Sequence, residues 1–194
     1  MKGRPQKMDD RTVRFESYEG ADAARHLDTF LPTYTEVYAE PPYREGPRDI
    51  ADFTDRFHVQ ARRPGFRLVL ARGDVDIIGF TFGFLLPADT SWWKNLQTPA
   101  PEDFTREDGR RTFAVIELAV REPWRRQGVA TGLHTTLLKD IPAERVTLTT
   151  RPEPEAAPAQ AAYAHWGYRK IGVSHPWETA PYYDAMLLDL HPGR

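Results

Sequence analysis

Residues 112–138, TFAVIELAVREPWRRQGVATGLHTTLL, constrain the fold more than any other stretch of this chain. The run 112–120 is apolar apart from Thr112 and Glu117 and reads as a buried strand. "REPW" makes a Pro-containing turn. From Gly128 onward Val129, Leu133, Leu137 and Ile141 recur on one helical face. The helix start is unusual. First-turn amides already carry partial positive charge, so Asp or Glu is the ordinary choice there. Arg125 and Arg126 stand there instead, which costs a little stability unless an anion lies between them. Gly128 lets the backbone approach a ligand with no Cβ in the way, and Ala130 is the next small residue. The amides of Arg126, Gln127, Gly128, Val129, Ala130 and Thr131 would then converge on one anion. Arg125 and Arg126 would add full charges and Gln127 a neutral donor. A diphosphate matches this set better than a single carboxylate. A solvated basic turn is the alternative.

The flanking pattern places this unit in an α/β domain. "TVRFESY" (12–18) alternates like an edge strand. A helix follows from Gly20, with Ala23, Leu27, Phe30, Leu31 and Tyr34 at helical spacing, until the Pro-rich loop 39–47. A second helix carries Ile50, Phe53, Phe57 and Val59 on its apolar side and ends at Pro64-Gly65. "FRLVLA" (66–71) and "IIGFTFGFLL" (77–86) read as a hairpin. Residues 87–111 lack a clear period, and a loop that long is usually functional or disordered; Trp92 and Trp93 argue against disorder. "RVTLTT" (145–150) is a further strand, and Pro158 opens a helix that runs to Trp166 and stops at Gly167. Strands at 168–173 and 184–190 close the chain. The order predicts a mixed, largely antiparallel, twisted sheet of about seven strands with helices on both faces. Residues 1–10 read as a disordered lead and 11–194 as one domain with a long inserted loop at 87–111.

Charge and cysteine content remove several function classes. The 26 Lys and Arg balance 28 Asp and Glu, whereas a general nucleic-acid binder shows a basic excess. Without cysteine there is no disulfide framework, thiol nucleophile or Cys-based metal site. The six histidines have no HxH or HxxxH spacing, so no metal is expected. No apolar run is long enough to span a membrane, and the first ten residues lack the apolar core of a secretory signal. The expectation is a cytoplasmic protein without nucleic-acid or membrane partners. A Gly-x-Ser-x-Gly elbow is missing, so hydrolase chemistry is unsupported.

Arg125-x-x-Gly128-x-Ala130, set in "ELAVREPWRRQGVA", resembles the acyl-CoA pyrophosphate loop of the GNAT N-acetyltransferases. No Gly-Lys-Ser/Thr follows, unlike a nucleotide P-loop, and the glycines do not fit a Rossmann fingerprint. A second likeness is "AAYAHWGY" (161–168), with Tyr163 four residues before Gly167-Tyr168. The family more often has Phe after that Gly. Many members also have an Asn early in this helix, for which Gln160 is at most a substitute. The resemblance covers about residues 12–190. It implies the GNAT fold, acetyl-CoA (coenzyme A) as cosubstrate, and often a homodimer.

Acetyl transfer from a thioester to an amine poses two proton problems. A lysine-like amine with pKa ~10.4 is under ~0.1% neutral at pH 7, and the departing thiolate gains from receiving a proton. Glu117 is the candidate base, being the one charged residue in its strand, where burial should raise its pKa. The alternative is a structural pair with Arg111 or Arg151. The resemblance implies that Tyr163 is the acid facing the sulfur. It also implies that the backbone of Leu118, Ala119 and Val120 polarises the carbonyl and pairs with the pantetheine amides. It implies an acceptor side built from 34–45, 87–111 and 174–184. These stretches hold Glu36, Glu40, Asp89, Glu102 and Asp103 amid Tyr38, Tyr43, Trp92, Trp93, Trp177 and Tyr182. Carboxylates among aromatics suit a cationic amine, and Glu36, Tyr38, Trp92 and Trp93 are the expected acceptor contacts. A small-molecule amine is the expected substrate: an amino sugar, a polyamine or an amine-bearing antibiotic. A protein or peptide acceptor and a non-catalytic acyl-CoA or amine-binding module are the alternatives.

Overall fold

A computed structural model describes residues 12–191; the expected N-terminal lead lies outside them. Seven strands form one sheet in the order β1-β2-β3-β4-β5-β7-β6. They are β1 (Arg14–Glu19), β2 (Arg67–Arg72), β3 (Ile77–Leu85), β4 (Thr112–Val120), β5 (Arg145–Thr150), β6 (Arg169–Ser174) and β7 (Tyr183–Asp189). Every neighbouring pair is antiparallel except β4 and β5.

The helices divide between the two faces. On one side α1 (Gly20–Ala24), α2 (Leu27–Tyr38) and α3 (Pro47–Gln60) cover Leu68, Leu70, Phe80, Phe82 and Phe84. Phe30, Phe53, Phe57 and Phe66 pack there against Phe80 and Phe82, several edge to face, an arrangement that suits the ring quadrupoles. On the other side α5 (Val129–Leu138) and α6 (Ala157–His165) cover Val69, Ala71, Ile78, Phe113 and Val115. Strand alternation sends successive side chains to opposite layers.

Four local readings need correction. The first predicted helix is two. The amides of Arg25 and His26 reach back only three residues, to Asp22 and Ala23, which closes α1 as a tight turn before α2 starts at Leu27. Val59 does not join the apolar side of α3; it is 62% exposed, while Phe53 and Phe57 are buried. Ile141 lies beyond the end of α5 yet still packs on the second core. Within 87–111, a 3₁₀ turn at Trp92–Asn95 and a one-turn helix, α4 (Glu102–Thr105), replace the featureless loop. The Trp93 indole donates to Glu107 (2.9 Å), and the Gln97 amide donates to the Val173 carbonyl at the edge of β6.

Candidate active site

The centre of the site is a defect in the sheet. β4 and β5 pair only over Thr112–Arg145, Phe113–Val146 and Ala114–Thr147. Beyond Ala114 the two strands part, so the β5-facing edge of Val115–Val120 has no strand partner among the described residues. An open strand edge can accept another extended amide chain. Leu118, Ala119 and Val120 lie along this edge. The Val120 carbonyl, however, already accepts from Arg125 Nε (2.9 Å).

A bulge sets which way β4 faces. Phe82 pairs with Glu117 and Gly83 with Val115, so Ile116 is an extra residue. Strict alternation from Phe113 and Val115 would put Glu117 in the α5 layer. The inserted residue reverses the phase and turns Glu117 to the α2 layer. There the Tyr38 hydroxyl, on the last turn of α2, donates to Glu117 Oε2. Neither Arg111 nor Arg151 pairs with Glu117: Arg111 binds Glu144 and Arg151 binds Glu153.

Tyrosines surround this carboxylate. The Tyr38 ring stacks on Tyr34 (4.3 Å) and meets Tyr43 (4.7 Å). The Tyr34 hydroxyl donates to Glu45. Burial pushes the Glu117 carboxyl up to about 7; the Tyr38 hydrogen bond opposes this, the Glu45 charge adds to it and Arg56 opposes it. Burial likewise pushes Tyr43 up to about 12, with the Glu117 charge adding. Tyr163, on α6, is buried, and burial with the Tyr43 and Glu117 charges raises its hydroxyl. The Tyr163 hydroxyl makes no hydrogen bond among the described residues. Behind it, buried His134 meets the Tyr168 hydroxyl (3.0 Å) and stacks on Trp166 (4.3 Å). Burial lowers His134 to about 4, so it is neutral packing.

The loop between β4 and α5 fits an anion. A 3₁₀ turn at Glu122–Trp124 leads to Arg126, at φ 61°, and Gly128, at φ 82°. Nothing lies within 4 Å of where a Gly128 Cβ would stand. The amides of residues 126 to 131 donate no hydrogen bond among the described residues, and the first bonded amide is Gly132, to the Gly128 carbonyl (2.9 Å). Open space and a run of spare donors at a helix start suit a diphosphate. Arg126, Gln127, Gly128 and Thr131 are exposed, Ala130 is half-buried and Val129 is buried. Gln127 turns its amide to the Pro123 carbonyl (2.8 Å). Arg125 is held by Glu40 through two contacts, 2.8 and 3.0 Å.

The expected acceptor contacts are only partly brought together. Tyr38 touches Glu117, but Glu36 binds Arg121 (2.6 Å) on the flank of the loop. Trp93 is buried in a structural cluster with Glu107 and Arg145. Trp92 packs on the first core. Gln160, the substitute for the missing Asn, donates to the Arg151 carbonyl (2.7 Å) and so fixes the end of β5. Sequence reasoning missed the Tyr38–Glu117 contact and the two ion pairs from Glu36 and Glu40. The one available signal for the pairs was matched spacing, 36/40 against 121/125. Among the described residues no helix is long and apolar enough to cross a membrane.

Comparison with known proteins agrees with this geometry. The model of the acetyltransferase (GNAT) family matches residues 24–168. No curated protein matches the sequence. Among solved structures, the PaiA N-acetyltransferase of Thermoplasma acidophilum in complex with coenzyme A is 10% identical with a TM-score of 0.59, covering 92% of this chain and 99% of its own. The aminoglycoside acetyltransferase HMB0005 from an uncultured soil metagenomic sample is 17% identical with a TM-score of 0.59, covering 87% and 99%. NAA60 of Arabidopsis thaliana with a bisubstrate analogue is 17% identical with a TM-score of 0.56, covering 91% and 95%. The fold is thus shared with solved acetyltransferases, and the family model spans most of the sequence: the chain belongs to the GNAT acetyltransferase family, with acetyl-CoA as its cosubstrate.

Proposed function

We propose that this protein acetylates a primary amine of a small molecule, of the amino sugar, polyamine or amine-bearing antibiotic class. The observation that carries the reading is Glu117: a carboxyl raised to about 7 on the strand that borders the split, with Tyr163 close enough to feel its charge. A base near neutrality is half ionised at the working pH and can take a proton from an ammonium. Acetyl-CoA supplies the acetyl thioester. The amides of 126 to 131 and the Arg126 guanidinium would hold its diphosphate, and the open edge of Leu118–Val120 would align its amide arm. Glu117 removes the proton from the amine, directly or through a water. Tyr163 stays protonated at neutral pH and gives its proton to the departing sulfur. The segment 92–97, tied to Glu107 and to β6, favours a covered pocket over an open peptide groove.

Thiol release from acetyl-CoA, measured with a panel of free amines and with amine-bearing peptides, tests this reading. Turnover with free amines, lost by at least ten-fold in Tyr163→Phe, is expected. Acetylation of peptides alone would replace the small-molecule assignment. A Tyr163→Phe enzyme within a few-fold of wild type would remove the acid.

A further inference from the structure

We propose that Tyr38 is a positioning residue for the transfer: its hydroxyl holds the Glu117 carboxylate in one place and favours its ionised form. The inference rests on Glu117 as the base. Three features converge on it. The bulge at Ile116 delivers Glu117 to the α2 layer. Tyr38 ends α2 with its ring set between Tyr34 (4.3 Å) and Tyr43 (4.7 Å), so the hydroxyl has little room to swing. That hydroxyl is the hydrogen-bond partner of Glu117 Oε2 among the described residues.

The other groups around the carboxylate do different work. Tyr34, also on α2, is committed to Glu45, whose charge faces Glu117 from the segment after α2. Arg56 acts from α3 at longer range. Tyr43, Tyr163 on α6 and Tyr183 on β7 all feel the Glu117 charge. Arg151, after β5, is neutralised by Glu153. Tyr38 therefore supplies the direct stabilisation of the anion. A phenol that donates to a carboxylate favours its charged form, against the burial that disfavours it.

The sign follows. With Tyr38→Phe, burial acts without that opposition and Glu117 stays protonated to higher pH. The acid limb of kcat/KM moves up by roughly one pH unit, and activity recovers on the alkaline side. A merely structural Tyr38 would lower activity at every pH and leave the limb in place.

The direct test needs no acceptor. Full-length protein labelled with ¹³C-glutamate is titrated by NMR, with the Glu117 carboxyl identified by its loss in Glu117→Gln. The wild-type midpoint should lie near 7 and rise by about one unit in Tyr38→Phe, while Tyr43→Phe, whose hydroxyl makes no hydrogen bond to the carboxylate among the described residues, moves it far less. Should Tyr38→Phe not fold, 3-fluorotyrosine placed at position 38 keeps the ring and donates more strongly, so the midpoint should fall. A midpoint unchanged or shifted the other way in either protein overturns the proposal. Undiminished turnover by Glu117→Gln would instead remove the base reading, and with it the role of Tyr38 in transfer. Lost turnover in Glu117→Gln with an unmoved Tyr38→Phe midpoint removes Tyr38 alone.

Discussion

Replacing Glu40 with Gln should tighten coenzyme A binding. Glu40 grips both terminal nitrogens of Arg125, at 2.8 and 3.0 Å, beside the loop assigned to the diphosphate. The two side chains are about one third exposed, 37% and 33%. An ion pair at that exposure contributes about 0.2–1 kcal/mol. That is the cost the diphosphate must overcome to recruit Arg125 while Glu40 stays charged. Removing the charge returns this energy to the complex, which corresponds to roughly 1.4- to 5-fold in Kd. Loss of like-charge repulsion acts in the same direction. Calorimetry with coenzyme A at low and high salt measures the change, and the gain should shrink as ions screen the loop. Glu36→Gln frees Arg121 instead and should change Kd by less than about two-fold, since Arg121 lies outside the cradle. An unchanged Kd in Glu40→Gln would show that Arg125 does not meet the phosphates. A Kd several-fold weaker would show that the ion pair shapes the loop more than it competes with the ligand.

Two further predictions concern the frame around the site. Glu107→Gln leaves the buried Arg145 guanidinium without its counter-charge, although Arg145 keeps the Phe104 carbonyl and Thr112 hydroxyl. Breaking one side of a buried pair costs about 3–5 kcal/mol. At roughly 2–4 °C per kcal/mol for a chain of this size, thermal melting should show a fall in Tm of about 10 °C. A fall under about 3 °C would mean the pair is balanced by its desolvation. Gly83→Ala puts a Cβ 2.2 Å from the Ala114 carbonyl and 2.6 Å from the Phe113 ring, beside the bulge that aims Glu117. A backbone oxygen cannot step aside as a flexible side chain can, so about 1–3 kcal/mol of stability should be lost, read by melting. Wild-type Tm would refute the close approach.

The fold was legible because its strongest signals are local. The runs 112–120 and 145–150 match β4 and β5 to the residue, and the odd chemistry of the α5 start drew attention to a stretch whose amides are spare in the structure. The bulge was not legible. Ile116 is as apolar as its neighbours, and the insertion exists only relative to the register of β3. The roles of Glu36, Glu40 and Trp93 were misplaced for a related reason. Composition marks a carboxylate or an indole near the site, but not whether it is already occupied. Glu40 meets a guanidinium 85 residues away, Tyr38 a carboxylate 79 residues away, and Trp93 a carboxylate 14 residues away. Nothing local distinguishes those from side chains free to receive a substrate.

Sequence places Glu36 and Glu40 among carboxylates suited to a cationic acceptor, and their pairing with arginines bears on what the proposed site would select. With both neutralised, the carboxylates among the tyrosines of the proposed site are Glu117 and Glu45, and each accepts from a tyrosine. Charge therefore recommends a polyamine less strongly than composition did, and the tyrosine hydroxyls around Glu117 gain weight as contacts for a hydroxylated amine. The same pairing explains how one of the two arginines at the helix start, Arg125, is tolerated there. Glu36 on α2 meets Arg121, and Glu40, just past the end of α2, meets Arg125, so the Arg125 charge beside the α5 amides is offset. Two residues apart along a helix means nearly opposite faces, so Tyr38 points away from Glu36, toward β4. α2 and the turn after it thus brace the loop through Glu36 and Glu40, while Tyr38 faces the proposed base. Charge changes at Glu40 should accordingly be read in coenzyme A affinity, and changes at Tyr38 in the pH profile, with little crossover between them.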